Sequence, residues 1–135
     1  MCGIFGFSYT GKIDYNRFSE FESDIDLFTR LSEIRGSDTF GLSLSSETKN
    51  YIYKINTNPL AAIKRKDYKN FLKKNFQAIQ KENSNFFSLI GQTRLVTNGT
   101  KFLYSNNQPI ITKNLVGTHN GIIINTKKEE KNKTI

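Results

Sequence analysis

Residues 1–9 read Met1-Cys2-Gly3-Ile4-Phe5-Gly6-Phe7-Ser8-Tyr9, a stretch without a single charge. The apolar and aromatic run, closed by the turn-forming Tyr9-Thr10-Gly11-Lys12, predicts a strand over 2–9. Downstream, Phe18, Phe21, Ile25, Phe28, Leu31 and Ile34 recur at helical spacing and predict an amphipathic helix over 16–34. Glu20, Glu22 and Asp24 fall near its start, where the helix dipole favours anions, and Gly36 supplies a stop. Residues 39–46 and 50–56 predict two strands around the polar turn Glu47-Thr48-Lys49. Tyr68, Leu72, Phe76 and Ile79 mark a second helix over 61–82. Phe86 to Arg94 predicts a further strand, followed by a long polar loop over 97–108 and short strands near 109–112 and 115–119. Strands joined by hairpins and accompanied by two helices predict an antiparallel α+β fold, not a doubly wound one.

The 135 residues allow one domain, taken as 1–125. Residues 126–135 are nearly all polar, lack periodicity and predict a disordered tail. The single cysteine excludes an internal disulfide framework. That fits a reducing compartment or a cysteine kept for its chemistry. No stretch approaches the roughly 20 apolar residues that span a bilayer, and the N-terminus lacks the form of a signal peptide. A cytoplasmic protein without a membrane partner is expected. The net charge of +8 invites a nucleic-acid reading, but the lysines concentrate in 64–81 and in the tail. The first group reads as the solvated face of a helix, so a nucleic-acid partner is not expected.

Cys2 is the first candidate for chemistry. Removal of Met1 would leave a thiol and a free α-amine on one residue. An α-amine has a reference pKa of about 8, which lets it act as base for its own thiol. The plainer alternative is a small buried hydrophobe. Asn120-Gly121 likewise reads either as a site element or as a hairpin turn, the commoner use of this dipeptide. Arg94 is either an anion partner or a surface strand arginine. His119 tempts a Cys–His dyad reading, against which stands a role in strand packing. One cysteine and one histidine make no credible zinc site.

Four blocks in order carry a resemblance. Met1-Cys2-Gly3-Ile4-Phe5-Gly6 resembles the opening of the class II glutamine amidotransferases, whose catalytic domain is an N-terminal nucleophile hydrolase. Arg35-Gly36-Ser37-Asp38-Thr39-Phe40-Gly41 resembles their RGxDxxG segment. Gly91-Gln92-Thr93-Arg94-Leu95-Val96-Thr97-Asn98-Gly99 resembles their GHTRxxTxG segment, and Thr118-His119-Asn120-Gly121 their HNG segment. The resemblance implies an α/β/β/α sandwich of antiparallel sheets, incomplete in this chain. It implies hydrolysis of L-glutamine to glutamate and ammonia through a Cys2 thioester, with no cofactor and no metal. The ammonia would pass to a synthase domain or subunit.

Residue roles follow from the same resemblance. The Asn120 side-chain amide and the Gly121 N–H would stabilise the oxyanion, a task in which one lost donor typically costs about 10²–10³ in rate. Arg94 would take the glutamine α-carboxylate in a bidentate grip, with Thr97 and Asn98 following on the loop. Arg35, Gly36 and Asp38 would support the loop over the N-terminus, with an Arg–Asp pair bracing the turn and Gly36 taking an unusual backbone angle. Gly41 would permit close packing. The base would be the terminal amine, not His119.

The chain also departs from the family. The acidic residue that binds the substrate α-amino group lies well downstream of HNG, and here only Glu129 and Glu130 follow, in no matching motif. A fragment or a truncated form is therefore expected, and a catalytically inactive relative serving as a regulatory or binding module is the alternative reading. Missing strands would leave open sheet edges, which makes a homo-oligomer a further expectation. No residue present selects the acceptor of the ammonia.

Overall fold

The structure, a computed structural model, describes residues 1–97 and 99–121. The tail expected over 126–135 and the domain limit at 125 lie outside the described residues. Strands β1 (Gly3–Thr10), β2 (Thr39–Ser46), β3 (Asn50–Ile55) and β4 (Phe86–Arg94) form one sheet in the order β1-β4-β2-β3, antiparallel throughout. The expected antiparallel α+β class is what the structure has. Helices α1 (Phe18–Glu33), α2 (Pro59–Ala62) and α3 (Lys66–Lys81) complete the core, and a two-residue pair, β5 (Ile110–Ile111) and β6 (Val116–Gly117), stands apart.

Alternation decides the two faces of the sheet. Phe5, Phe7 and Tyr9 of β1, Phe87 and Leu89 of β4, and Phe40, Leu42 and Leu44 of β2 share one side with Phe21, Ile25, Tyr68, Leu72, Phe76 and Ile79 of the helices. Aromatic rings dominate the centre. Phe21 meets Phe87 edge-on with centroids 5.1 Å apart, and Phe76 meets Phe87 at 5.2 Å. Such edge-to-face pairs add to the area that they bury. The other side carries Gly6, Ser8, Gly41, Ser43, Ser45, Ser88 and Gln92, with Ile4 partly exposed to solvent.

The helix expected as one piece over 61–82 is two. Asn58 caps α2, its Oδ1 accepting from Leu60 N (2.9 Å) and Ala61 N (3.3 Å), and Pro59 takes the first turn, where its missing N–H costs nothing. Ile63 to Arg65 then break the helix before α3 begins.

The apolar face of α1 differs from the expected one in its last turns. Leu31 is 59% exposed and Ile34 83%, whereas Thr29 and Ser32 are buried. The cause is the close approach of α1 to β1 and β4. A β-carbon added at Gly3 would lie 2.8 Å from Ser32 Cβ, and Thr93 Oγ1 donates to the Ser32 carbonyl at 2.6 Å. Only small side chains fit there. Thr29 settles its hydroxyl by donating to the Ile25 carbonyl at 2.8 Å.

Candidate active site

The end of α1 and the end of β4 bring together segments that are far apart in sequence. After Glu33 the chain turns through residues 34–38 and enters β2. Gly36 N donates to the Glu33 carbonyl at 2.9 Å, and Asp38 N donates to the Arg94 carbonyl at 2.9 Å. Asn58 buttresses the same turn, its Nδ2 donating to Glu33 Oε1 (3.1 Å) and to the Ser37 carbonyl (3.3 Å).

Gly36 has no left-handed backbone angle; the positive-φ glycines are Gly11 and Gly99. Its role is space. A β-carbon there would come within 2.5 Å of the Thr93 carbonyl oxygen and 2.7 Å of Leu95 N. The expected Arg35–Asp38 pair does not form either. The two side chains hold different partners, because the loop lies between two segments that each need a polar tie. Arg35 Nε donates to the Cys2 carbonyl at 3.4 Å, and Asp38 Oδ2 accepts from Val96 N at 2.7 Å. Arg35 thus bonds residue 2 itself, and Asp38 bonds the segment that follows β4.

Cys2 sits between these walls. Its Sγ lies 3.8 Å from the Leu95 carbonyl, a weak contact, and its backbone N donates to Asn120 Oδ1 at 3.1 Å. A backbone N–H can bond only an acceptor, so this contact fixes which end of the Asn120 amide is oxygen. The amide nitrogen then faces away from it, with two N–H groups to offer. Cys2 is half-buried, and Asn120 and Gly121 are exposed. The turn between β5 and β6 is made by 112–115, where Thr112 N donates to the Leu115 carbonyl at 2.8 Å, and not by Asn120-Gly121.

The loop after β4 is built on asparagines. Arg94 Nη1 donates to Asn107 Oδ1 at 2.8 Å, and Asn107 Nδ2 donates to the Lys101 carbonyl at 2.8 Å. Arg94 is therefore tied to its own loop, and Asn107 is buried. Thr97 is exposed, and among the described residues no hydrogen bond links it to Cys2 or Asn120. Asn98 lies outside the described residues.

Three side chains to which the sequence assigned no role belong here: Asn107, Gln92 and Gln108. Gln92 Nε2 donates to the His119 carbonyl at 2.9 Å, and Gln108 Nε2 donates to the same oxygen at 2.9 Å. His119 N in turn donates to Gln108 Oε1 at 2.5 Å. The part of His119 engaged by these bonds is thus its backbone. Gly41 serves the same corner, since a β-carbon there would strike the Gln108 carbonyl. Among the described residues no three His, Cys, Asp or Glu side chains gather as a metal group would require, and no helix is long and apolar enough to cross a membrane. Comparison of the sequence with protein-family models and with curated proteins gave no match.

Proposed function

We propose that this chain belongs to the N-terminal nucleophile class and is the glutamine-hydrolysing part of a class II glutamine amidotransferase. The observation that carries the reading is the contact between Cys2 N and Asn120 Oδ1, 3.1 Å across 118 positions of sequence. The contact brings the nitrogen that would become the α-amine beside the asparagine of the fourth block. The arrangement of layers supports the reading too. Helices cover one face of the sheet, and the segment 108–119 lies at one end of the other, where an α/β/β/α sandwich has its second sheet.

The chemistry follows from the residues. Once Met1 is removed, the nitrogen that donates to Asn120 becomes an α-amine, and Asn120 Oδ1 orients it. The amine takes the thiol proton as the sulfur attacks the glutamine carboxamide carbon. The C=O π electrons move to oxygen, and the oxyanion lies against Asn120 Nδ2 and the Gly121 N–H. Collapse expels ammonia, which leaves with the proton held by the amine, and a Cys2 thioester remains. Water, deprotonated by the same amine, attacks the thioester and releases glutamate. Arg94 is assigned the substrate carboxylate on the strength of charge and of its place at the end of β4, and a synthase domain or subunit the ammonia.

The test begins with the mass of the purified protein, expected to lack Met1. Ammonia release from glutamine is then measured for the parent and for Cys2→Ala, with labelling of Cys2 by an electrophilic glutamine analogue. Turnover and labelling in the parent, both abolished by Cys2→Ala, are expected. Equal release from both proteins would remove Cys2 from the mechanism. A parent that neither turns over nor is labelled would be a scaffold without the activity.

A further inference from the structure

We infer that Gln92 and Gln108 are positioning residues that hold the peptide group of His119 and so aim the Asn120 amide at residue 2. Gln92 stands in β4, an interior strand, and only 1% of it is exposed. An amide that deep is costly unless it is bonded, so a buried glutamine in a strand needs a partner of some importance. Its partner is one backbone oxygen, 27 residues downstream.

The His119 carbonyl has two lone pairs, and the two glutamines supply one donor for each, both at 2.9 Å. Gln108 Oε1 takes the N–H of the same residue. Residues 118–120 lie in no strand or helix, so ladder bonds do not fix them. The amides of Gln92 and Gln108 substitute for a ladder. Gly41 lets the Gln108 main chain rest directly on β2, which sets the height of Gln108 above the sheet.

The next residue is Asn120. A small rotation about the His119 backbone swings its side chain through more than the tolerance of a hydrogen bond, and a displacement of about 1 Å can cost about 10²-fold in rate. With Oδ1 committed to the residue 2 nitrogen, the direction of Nδ2 is decided by the backbone that the two glutamines clamp. Gln92 contributes this way without touching substrate.

The kinetic arm of the test rests on the proposed glutaminase activity; the spectroscopic arm does not. In full-length protein, Gln92→Met keeps the length and removes the donor, whereas Gln92→His restores an N–H of comparable reach. The side-chain NH₂ signals of Asn120 are followed by nitrogen-15 NMR, assigned by their loss in Asn120→Asp. Gln92→Met is expected to move those signals and to lower kcat for glutamine about 10²-fold. KM should stay within about threefold, as for a group acting only in the transition state. Gln92→His is expected to return kcat to within about tenfold of the parent. Asn120 signals unmoved in Gln92→Met overturn the inference, as does a change confined to KM. If Gln92→Met does not fold, Gln108→Met at the more exposed partner is read by the same two measurements. A parent without turnover refutes the proposed function, and the NMR result then decides the clamp alone.

Discussion

Replacing Gly36 by alanine tests the contact that locks the loop over residue 2 to the end of β4. The new β-carbon would lie 2.5 Å from the Thr93 carbonyl oxygen, 2.6 Å from Arg94 C and 2.7 Å from Leu95 N. Ordinary contact begins near 3.4 Å, so the loop and the strand must part by about 0.7–0.9 Å, and packed interiors resist such shifts. All three neighbours are backbone, and none can swing aside. Forced insertion of this kind costs about 1–3 kcal/mol, and three rigid neighbours put it near the top. Alanine also narrows the unfolded ensemble, which returns about 0.4–1 kcal/mol. The net loss is about 2 kcal/mol. For a chain of 135 residues, about 3.5 °C of Tm goes with each kcal/mol, so Gly36→Ala should melt about 7 °C lower. Circular dichroism measures the melt. Alkylation of Cys2 gives a second reading, since parting the loop from Leu95 changes what faces the sulfur. A Tm within about 2 °C of the parent, with unchanged alkylation, would mean that the close approach does not exist.

Other perturbations separate the fold from the site. Phe87→Ala empties the centre of the aromatic cluster and should cost about 3–5 kcal/mol, read by urea unfolding; a loss below 1 kcal/mol, about what an exposed ring would give, counts against that packing. Glu82 accepts from Tyr51 Oη at 2.8 Å and from Ser46 Oγ and Thr48 Oγ1 at 3.0 Å, and lies 3.1 Å from Lys49 Nζ. The Tyr51 hydroxyl, followed by Lys49, holds its carboxyl down at about 2 from an ordinary 4.5, and burial, followed by Glu82, pushes the Tyr51 phenol up to about 12. A depressed carboxyl stabilises the fold above its unfolded pKa, and that contribution is lost as pH falls from 4.5 towards 2. The Tm gap between parent and Glu82→Gln should accordingly be widest above about pH 5 and narrow below about pH 4; an equal gap at both ends refutes the assignment. Gly41→Ala should lift the Gln108 segment off β2 and lower glutamine turnover about 10²-fold, while the helix-side core keeps the far-UV spectrum unchanged; full turnover would show that the segment does not rest there.

Periodicity made most elements legible. The alternating aromatics of β1 and the spacing of Tyr68, Leu72, Phe76 and Ile79 name their buried faces directly. The same logic fails at Leu31 and Ile34, because the α1–β1 distance there is set by Gly3, and a spacing rule has no term for how closely two backbones approach. The candidate site was legible through the order of the four blocks, which put Cys2 and Asn120 in one reading although either residue alone has a plainer one. Gln92, Asn107 and Gln108 were not. Each bonds a backbone atom, or the Arg94 side chain, 6 to 27 positions away, and such bonds leave no period in the sequence. A glutamine with an apolar neighbour on each strand beside it would have been the signal, since Gln92 faces Ile4 and Gly41 across the sheet.

Two successive residues of β4 touch both parts of the candidate site. Thr93 stands opposite Gly3, the neighbour of Cys2, and Gln92 reaches the neighbour of Asn120. The two attachments are therefore one peptide apart, in a strand flanked on either edge. A shift of β4 as a whole moves both attachments together, because Thr93 and Gln92 are joined by a single peptide bond.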